Sequence, residues 1–102
     1  MEASLDFLAN SDVDYARAKT LFDGLTEQRK TIKANCSLRS GEKTASRAEM
    51  IAYTMPDYSM HLQKMETAHL EYLTLQAQRI TAGTVIEVWR SLNAARRQGT
   101  VI

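Results

Sequence analysis

Helix-breaking residues are scarce in this chain, and their scarcity limits the folds open to it more than any other feature of the sequence. Among 102 residues there are one proline, Pro56, and four glycines. Proline removes a backbone donor and glycine adds conformational entropy, so both interrupt helices. Long segments without either residue, with apolar side chains repeated every three or four positions, favour long amphipathic helices. The sequence therefore predicts an all-α fold.

The first long helix is expected from about residue 12 to 38. A short helical turn over residues 4–9 precedes it, and Ser11, followed by acidic residues, has the features of an N-cap. Gly41 follows as the residue expected to end the helix. The predicted apolar face repeats at three- and four-residue spacing. It comprises Tyr15, Ala18, Leu21, Phe22, Leu25, Ile32 and Cys36.

A short helix and then the longest helix of the chain are expected to follow. Ser46, with Glu49 three residues later, predicts the start of a helix within residues 42–55. Pro56 suits the first turn of a third helix that continues to about Arg97. The seam predicted for this third helix, with steps of four and three residues, comprises Tyr58, Leu62, Met65, His69, Tyr72, Gln76, Arg79, Gly83 and Ile86. A second stripe near its end comprises Leu75, Ala82, Ile86, Trp89 and Leu92.

Charge is distributed in four blocks along the chain. Residues 1–27 carry a net charge of −4, residues 28–47 of +5, residues 48–75 of −3 and residues 76–102 of +3. Antiparallel packing of the first and third helices places an acidic block beside a basic block at both ends. This agreement predicts an antiparallel helical hairpin with one long C-terminal helix and short additional helices. The length fits a single helical domain, residues 1–102.

Residues that support catalysis or metal binding are not grouped along the sequence. His61 and His69 are eight residues apart, about 12 Å along a helix, which is too far for them to share one metal ion. Cys36 has no neighbouring base or metal partner and is expected to be a buried apolar residue. No glycine-rich phosphate loop occurs. We therefore expect a protein that is not an enzyme, with no cofactor and no metal site.

A cytoplasmic location is expected from the cysteine content and the hydropathy pattern. The single Cys36 excludes an intrachain disulfide. The N-terminus lacks the basic region and apolar stretch of a signal peptide. No apolar run approaches the roughly 20 residues of a membrane span, so no membrane partner is expected.

Basic residues cluster around the predicted turn at Ser40 and Gly41. The six are Arg29, Lys30, Lys33, Arg39, Lys43 and Arg47. A basic cluster at a helix end is typical of surfaces that bind phosphate backbones. The alternative from the same residues is that these bases pair with acids such as Glu49 or Asp57 inside the fold.

The third helix has a longer apolar stripe than the first helix can cover. A small chain with uncovered apolar surface commonly self-associates. We therefore expect a homo-oligomer whose contacts are anchored by Tyr72, Ile86 and Trp89, since aromatic residues dominate the binding energy of many interfaces.

The order of these features resembles the UvsY-type recombination mediators of T-even bacteriophages. The likeness rests on a long helix that ends in the run Arg29-Lys-Thr-Ile-Lys-Ala34, on the Ser40–Gly41 turn, and on the late aromatic and basic run from Val88 to Arg97. The resemblance implies an all-helical protein that forms ring-like oligomers, binds single-stranded DNA near Lys33 and helps to load a recombinase.

These observations together favour a phage-type DNA recombination accessory protein. It is expected to bind single-stranded DNA through backbone charge in the cytoplasm of a bacterial host. Its expected protein partners are a recombinase or a single-strand-binding protein. The alternative is a small phage-encoded helical adaptor or inhibitor that binds a host or phage protein without contacting DNA.

Overall fold

The computed structural model describes residues 1–99, which form three α-helices and no strand. The helices are α1 (Glu2–Arg39), α2 (Ala45–Thr54) and α3 (Pro56–Arg97). The predicted all-α class and the long C-terminal helix are confirmed. The last three residues of the predicted single domain, residues 100–102, lie outside the described residues. Among the described residues, no helix combines the length and the apolar character that a bilayer-spanning segment requires.

The start of α1 differs from the prediction. The helix begins at Glu2, so the N-cap predicted at Ser11 is wrong. Ser11 lies inside the helix, where it is buried, and its hydroxyl accepts a hydrogen bond from Arg79. Serine disfavours a helix interior because its hydroxyl competes for backbone groups. A donor from another helix satisfies that hydroxyl here, and α1 continues through the residue.

The end of α1 agrees with the prediction, whereas the cap of α2 does not. Gly41 has a positive φ of 72°, a conformation that glycine adopts without strain and that commonly ends helices. The cap of α2 is Thr44, with an extended backbone and a hydroxyl that accepts the backbone N–H of Arg47 at 3.4 Å. Ser46, the predicted cap, already lies in the first turn. The three-residue spacing between Ser46 and Glu49 therefore predicted the N-cap two residues too late in the sequence.

Both ends of α3 agree with the sequence. Pro56 is the first residue of the helix and Arg97 the last. Gly99 has a positive φ of 69°, and its backbone N–H donates to the carbonyl of Arg96 at 3.1 Å. This is the geometry of a helix that ends at a left-handed glycine.

The contacts of the chain group into two compact units. Unit 1 comprises Met1–Ala16 and the chain from Leu73 onward, and unit 2 comprises Arg17–Tyr72. In each unit, part of α1 lies antiparallel to part of α3, because partners that come later in α1 meet earlier residues of α3. The pairs are Asp12–Arg79 and Tyr15–Gln76 in unit 1, and Phe22–His69, Leu25–His61 and Arg39–Asp57 in unit 2.

The buried seam of α3 is shifted by one residue from the predicted seam at several positions. His61, Ala68 and Ala82 are buried, whereas Leu62 and His69, predicted for the seam, are exposed. Both sets repeat every seven residues, so periodicity alone does not separate them. Contacts with α1 do: the ring of His61 reaches the carbonyl oxygen of Leu25, and the small side chain of Ala68 lets the two helix surfaces approach closely.

The cores of the two units are small. In unit 2, Cys36, Ala52 and Tyr58 form a buried cluster against which Ile32 and Met55 pack. In unit 1, the buried residues are Ser11, Ala82 and Ile86. On α1 the predicted apolar face is buried or half-buried except at Leu21, which is exposed. That position lies at the edge of the seam, where α3 does not cover it.

Candidate nucleic-acid interface

All six bases predicted to contact DNA lie in unit 2. Four of them, Arg29, Lys30, Lys33 and Arg39, are on the C-terminal part of α1, Lys43 is in the connection to α2, and Arg47 is in the first turn of α2. The structure divides the six into bases that are paired inside unit 2 and bases that are open to solvent.

Lys33 is held by α2. Its Nζ donates to Oε1 of Glu49 at 2.5 Å and lies 5.0 Å from the centroid of the Tyr53 ring. The hydroxyl of Tyr53 donates to the same Glu49 oxygen at 2.9 Å. The hydrogen bond to Glu49 raises the pKa of Lys33, and the hydrogen bond from Lys33 lowers the pKa of Glu49. The charge of Lys33 is therefore neutralised by an acidic partner within unit 2.

Arg39 forms the second ion pair of this surface. Its Nη2 donates to Oδ2 of Asp57 at 2.6 Å and lies 3.4 Å from Sγ of Cys36. The hydrogen bond to Asp57 raises the pKa of Arg39 above its usual range. Both side chains of the pair remain more than half exposed. Water competes with such a pair, so its net contribution to the stability of unit 2 is small.

The other four bases face solvent. Lys30 is 4.0 Å from Glu27, and both of those side chains are largely exposed, which makes the contact weak. Arg29, Lys43 and Arg47 are exposed, and within residues 1–99 no carboxylate forms an ion pair with them. The alternative that the sequence left open therefore applies to Lys33 and Arg39, and only marginally to Lys30.

The three residues predicted to anchor an oligomer have different environments. Tyr72 is half-buried in unit 2, with its ring stacked 6.1 Å from that of Phe22. Ile86 is buried in unit 1, whereas Trp89 is 46% exposed. Of the three, Trp89 offers the largest open surface to a second molecule.

Sequence reasoning missed the role of Arg79 in unit 1. Its guanidinium donates to the carbonyl of Leu8 at 3.1 Å, to Oγ of Ser11 at 2.8 Å and to Oδ1 of Asp12 at 2.7 Å. It also lies 5.0 Å from the centroid of the Tyr15 ring. The sequence did contain an indication of this role, because Arg79 occupies a position of the predicted seam and therefore needs polar partners. Ser11 and Asp12 on α1 are those partners.

The two histidines have structural contacts in unit 2. Nε2 of His61 is 2.7 Å from the carbonyl oxygen of Leu25, and the ring of His69 stacks on Phe22 with centroids 4.4 Å apart. Within residues 1–99, no three residues of the types His, Cys, Asp and Glu are grouped as a metal ion requires.

The structure is that of an all-helical chain whose unit 2 has exposed bases outside any ion pair among residues 1–99. No protein-family model, curated protein or solved structure matches this chain.

Proposed function

We propose that this chain is an accessory protein of phage-type DNA recombination. In this proposal it binds single-stranded DNA through phosphate charges and assists the loading of a recombinase. It works as a homo-oligomer in the cytoplasm of a bacterial host, catalyses no reaction and needs no cofactor. Its protein partners are a recombinase or a single-strand-binding protein.

The observation that carries this proposal is the set of open bases in unit 2. Arg29 lies on α1, Lys43 in the connection that follows and Arg47 on α2. No acidic side chain within residues 1–99 forms an ion pair with any of the three. Desolvated or paired cations contribute little to a polyanion surface, whereas hydrated ones release counterions from DNA when they bind. A flexible single strand can follow bases that are not arranged to fit a regular groove.

The paired bases have a smaller part in the proposal. Arg39 can exchange Asp57 for a phosphate because that pair is exposed. Lys33 is less available, since Glu49 and the Tyr53 ring hold it on two sides. We therefore assign the main phosphate contacts to Arg29, Lys43 and Arg47, with Lys30 and Arg39 as secondary contacts.

The test is the triple variant Arg29→Gln/Lys43→Gln/Arg47→Gln, compared with wild type by fluorescence anisotropy of a labelled single strand at several salt concentrations. If each base neutralises one phosphate, each contributes about 0.7 to the slope of log affinity on log salt. The magnitude of the slope should therefore fall by about 2 in the triple variant. The loss should be similar for all base sequences, because phosphate contacts do not read bases.

The matched control is Arg17→Gln/Lys19→Gln/Arg96→Gln. It removes the same charge from exposed positions outside the six predicted bases, two of them in unit 2 and one in unit 1. The proposal expects this control to retain most of the wild-type salt slope. If both triple variants lose the same amount of salt slope, DNA binding depends only on the net charge of the protein. That result would contradict the assigned surface.

A protein-binding adaptor without DNA contact is the second candidate. It is favoured by the apolar side chains exposed along a groove of unit 2, among them Leu21, Leu38 and Met60. Exposed apolar surface that is contiguous commonly marks a protein contact. A wild-type chain that fails to bind single-stranded DNA even at low salt would overturn the first proposal in favour of this one.

A further inference from the structure

Six exposed, uncharged residues form one face of α3 in unit 1, and the charged Glu87 lies at its edge. The face lies opposite the buried residues Ala82 and Ile86 and comprises Leu73, Ala77, Ile80, Thr84, Val88 and Ser91, all of them exposed. Ile80 is 64% and Val88 55% exposed. Single exposed apolar residues are ordinary on protein surfaces, but an uncharged stripe of this length is typical of a contact surface.

We propose that this face pairs antiparallel with the same face of a second copy of this chain, about a two-fold axis at Thr84. The inference rests on the homo-oligomer in the proposed function and identifies its contact. It does not depend on DNA binding. It also moves the main contact away from Ile86, which is buried within unit 1.

The order of side chains along the face is what selects a second copy as the partner. Ile80 and Val88 lie four residues on either side of Thr84, and Ala77 and Ser91 lie seven residues on either side. A two-fold contact requires each patch to match itself, so that residue i meets residue j and j meets i. About an axis at Thr84, the β-branched residues meet each other and the small residues meet each other.

The polar atoms of this face can be buried without loss of hydrogen bonds. The hydroxyl of Thr84 donates to the carbonyl of Ile80 at 3.0 Å, so its methyl group can face a second helix while its polar group stays satisfied. At the flank, Arg90 donates to Glu87 at 3.1 Å, which balances the nearest charges. Two identical copies therefore do not repel each other along this face.

The shape of the surface also suits a second helix. A shallow, open depression of about 600 Å³ lies over the face and its Glu87 edge, lined by residues between Ile80 and Leu92. Gly83 is one of them, and its missing side chain leaves space beside Thr84. A side chain of the second copy can enter this depression, as in the packing of ridges into grooves.

The end of α3 extends the same apolar surface. The register set by Asp12–Arg79 and Tyr15–Gln76 brings the start of α1 near Trp89. Leu92 therefore lies beyond the part of α3 that α1 covers, and it is exposed. A second copy can cover Leu92 at the edge of the face, whereas Trp89, seven residues after the buried Ala82, lies on the opposite side of α3 and outside this contact.

The first test is sedimentation of wild type and Val88→Glu at tens of micromolar. Wild type should sediment as a dimer or a multiple of dimers, and Val88→Glu should associate on the order of 100-fold more weakly, because it buries an unpaired carboxylate. The matched control is Val13→Glu, the same substitution at a 59% exposed position of α1 in unit 1. It should associate as wild type does, and circular dichroism verifies that both variants remain helical.

The second test locates the axis. With Thr84→Cys, mild oxidation should link two chains through the introduced thiols, whereas Val13→Cys should not cross-link. The native Cys36 is buried and does not compete. A monomeric wild type, unchanged association of Val88→Glu, or equal cross-linking of the two cysteine variants would each overturn the inference. A monomeric wild type that still binds single-stranded DNA would overturn this inference and leave the DNA-binding proposal intact. A wild type that associates through this face but binds no DNA would overturn the DNA-binding proposal and leave this inference intact.

Discussion

Arg79 illustrates how a single charged side chain can belong to a helical seam. A repeat of this kind usually has leucine or isoleucine at such a position, yet the Arg79 side chain is only 22% exposed. Burial of a charge is costly unless hydrogen bonds and an opposite charge compensate for it. Ser11 and Asp12, one helical turn from Leu8, supply those partners, and the Tyr15 ring covers the guanidinium.

We expect Arg79→Ala to lower the free energy of unfolding by about 2 kcal/mol, because the buried Ser11 hydroxyl loses its partner and the seam loses packing. The measurement is urea denaturation followed by circular dichroism. Arg90→Ala, at an exposed arginine on the same helix and in the same unit, should change the free energy of unfolding by less than about 0.5 kcal/mol. Equal effects of the two substitutions would mean that the Arg79 contacts contribute nothing to stability.

At the scale of the element, α2 is the shortest of the three helices, and it buries only small side chains. Its buried residues are Ala48 and Ala52, whose small side chains gain little free energy from burial. The helix has ten residues, which is too short to be stable alone in water. Its place in unit 2 therefore depends strongly on its cap and on the ion pair between Glu49 and Lys33.

The cap of α2 gives a direct comparison between two hydroxyl residues. We expect Thr44→Ala to lower the free energy of unfolding by about 1 kcal/mol, the usual effect of removing an N-cap. Ser46→Ala should be neutral or slightly stabilising, since alanine is the better helix former inside the first turn. Thermal unfolding of both variants measures the difference. A larger loss from Ser46→Ala would restore the cap that the sequence predicted.

The ion pair of α2 gives a pH dependence whose direction follows from the pKa shifts. The pKa of Glu49 is lowered in the folded state, so the pair stabilises unit 2 above the ordinary pKa of glutamate, about 4.3, and loses this contribution as the pH falls through the lowered value. The raised pKa of Lys33 keeps its ammonium charged throughout that range.

We therefore expect Glu49→Gln to lower the Tm at neutral pH by no more than about 5 °C, the scale of a partly exposed pair. The difference from wild type should shrink as the pH falls below about 4. The control is Glu66→Gln, at an exposed glutamate of α3 in the same unit, which should have no such pH-dependent effect. A constant difference at all pH values would assign the loss to packing instead of charge.

The helices themselves were largely predictable, because their ends depend on local backbone chemistry. Gly41 and Gly99 end α1 and α3 through a positive φ, and Pro56 fixes the start of α3. The seam of α3 was only partly predictable, since Leu62 is more apolar than His61 and yet lies outside it. Which of two neighbouring stripes is buried depends on the shape of the opposing helix, and a hydrophobicity pattern does not contain that information.

At the scale of the whole molecule, the charge blocks predicted which segments meet. In unit 1 the acidic start of α1 reaches the basic end of α3 through Asp12 and Arg79. In unit 2 the basic end of α1 reaches acids of the following block through Lys33–Glu49 and Arg39–Asp57. Sequence did not predict which bases stay open, because pairing depends on side-chain distances that are set only when α2 and the start of α3 have packed against α1.

Cys36 gives the molecule a reporter of its own motions. The thiol is fully buried in the core of unit 2, and it is the only cysteine of the chain. An alkylating reagent reaches such a sulfur only in conformations in which the surrounding helices have separated. The rate of alkylation therefore measures the opening of unit 2, the unit that carries the basic surface, in a protein without any introduced label.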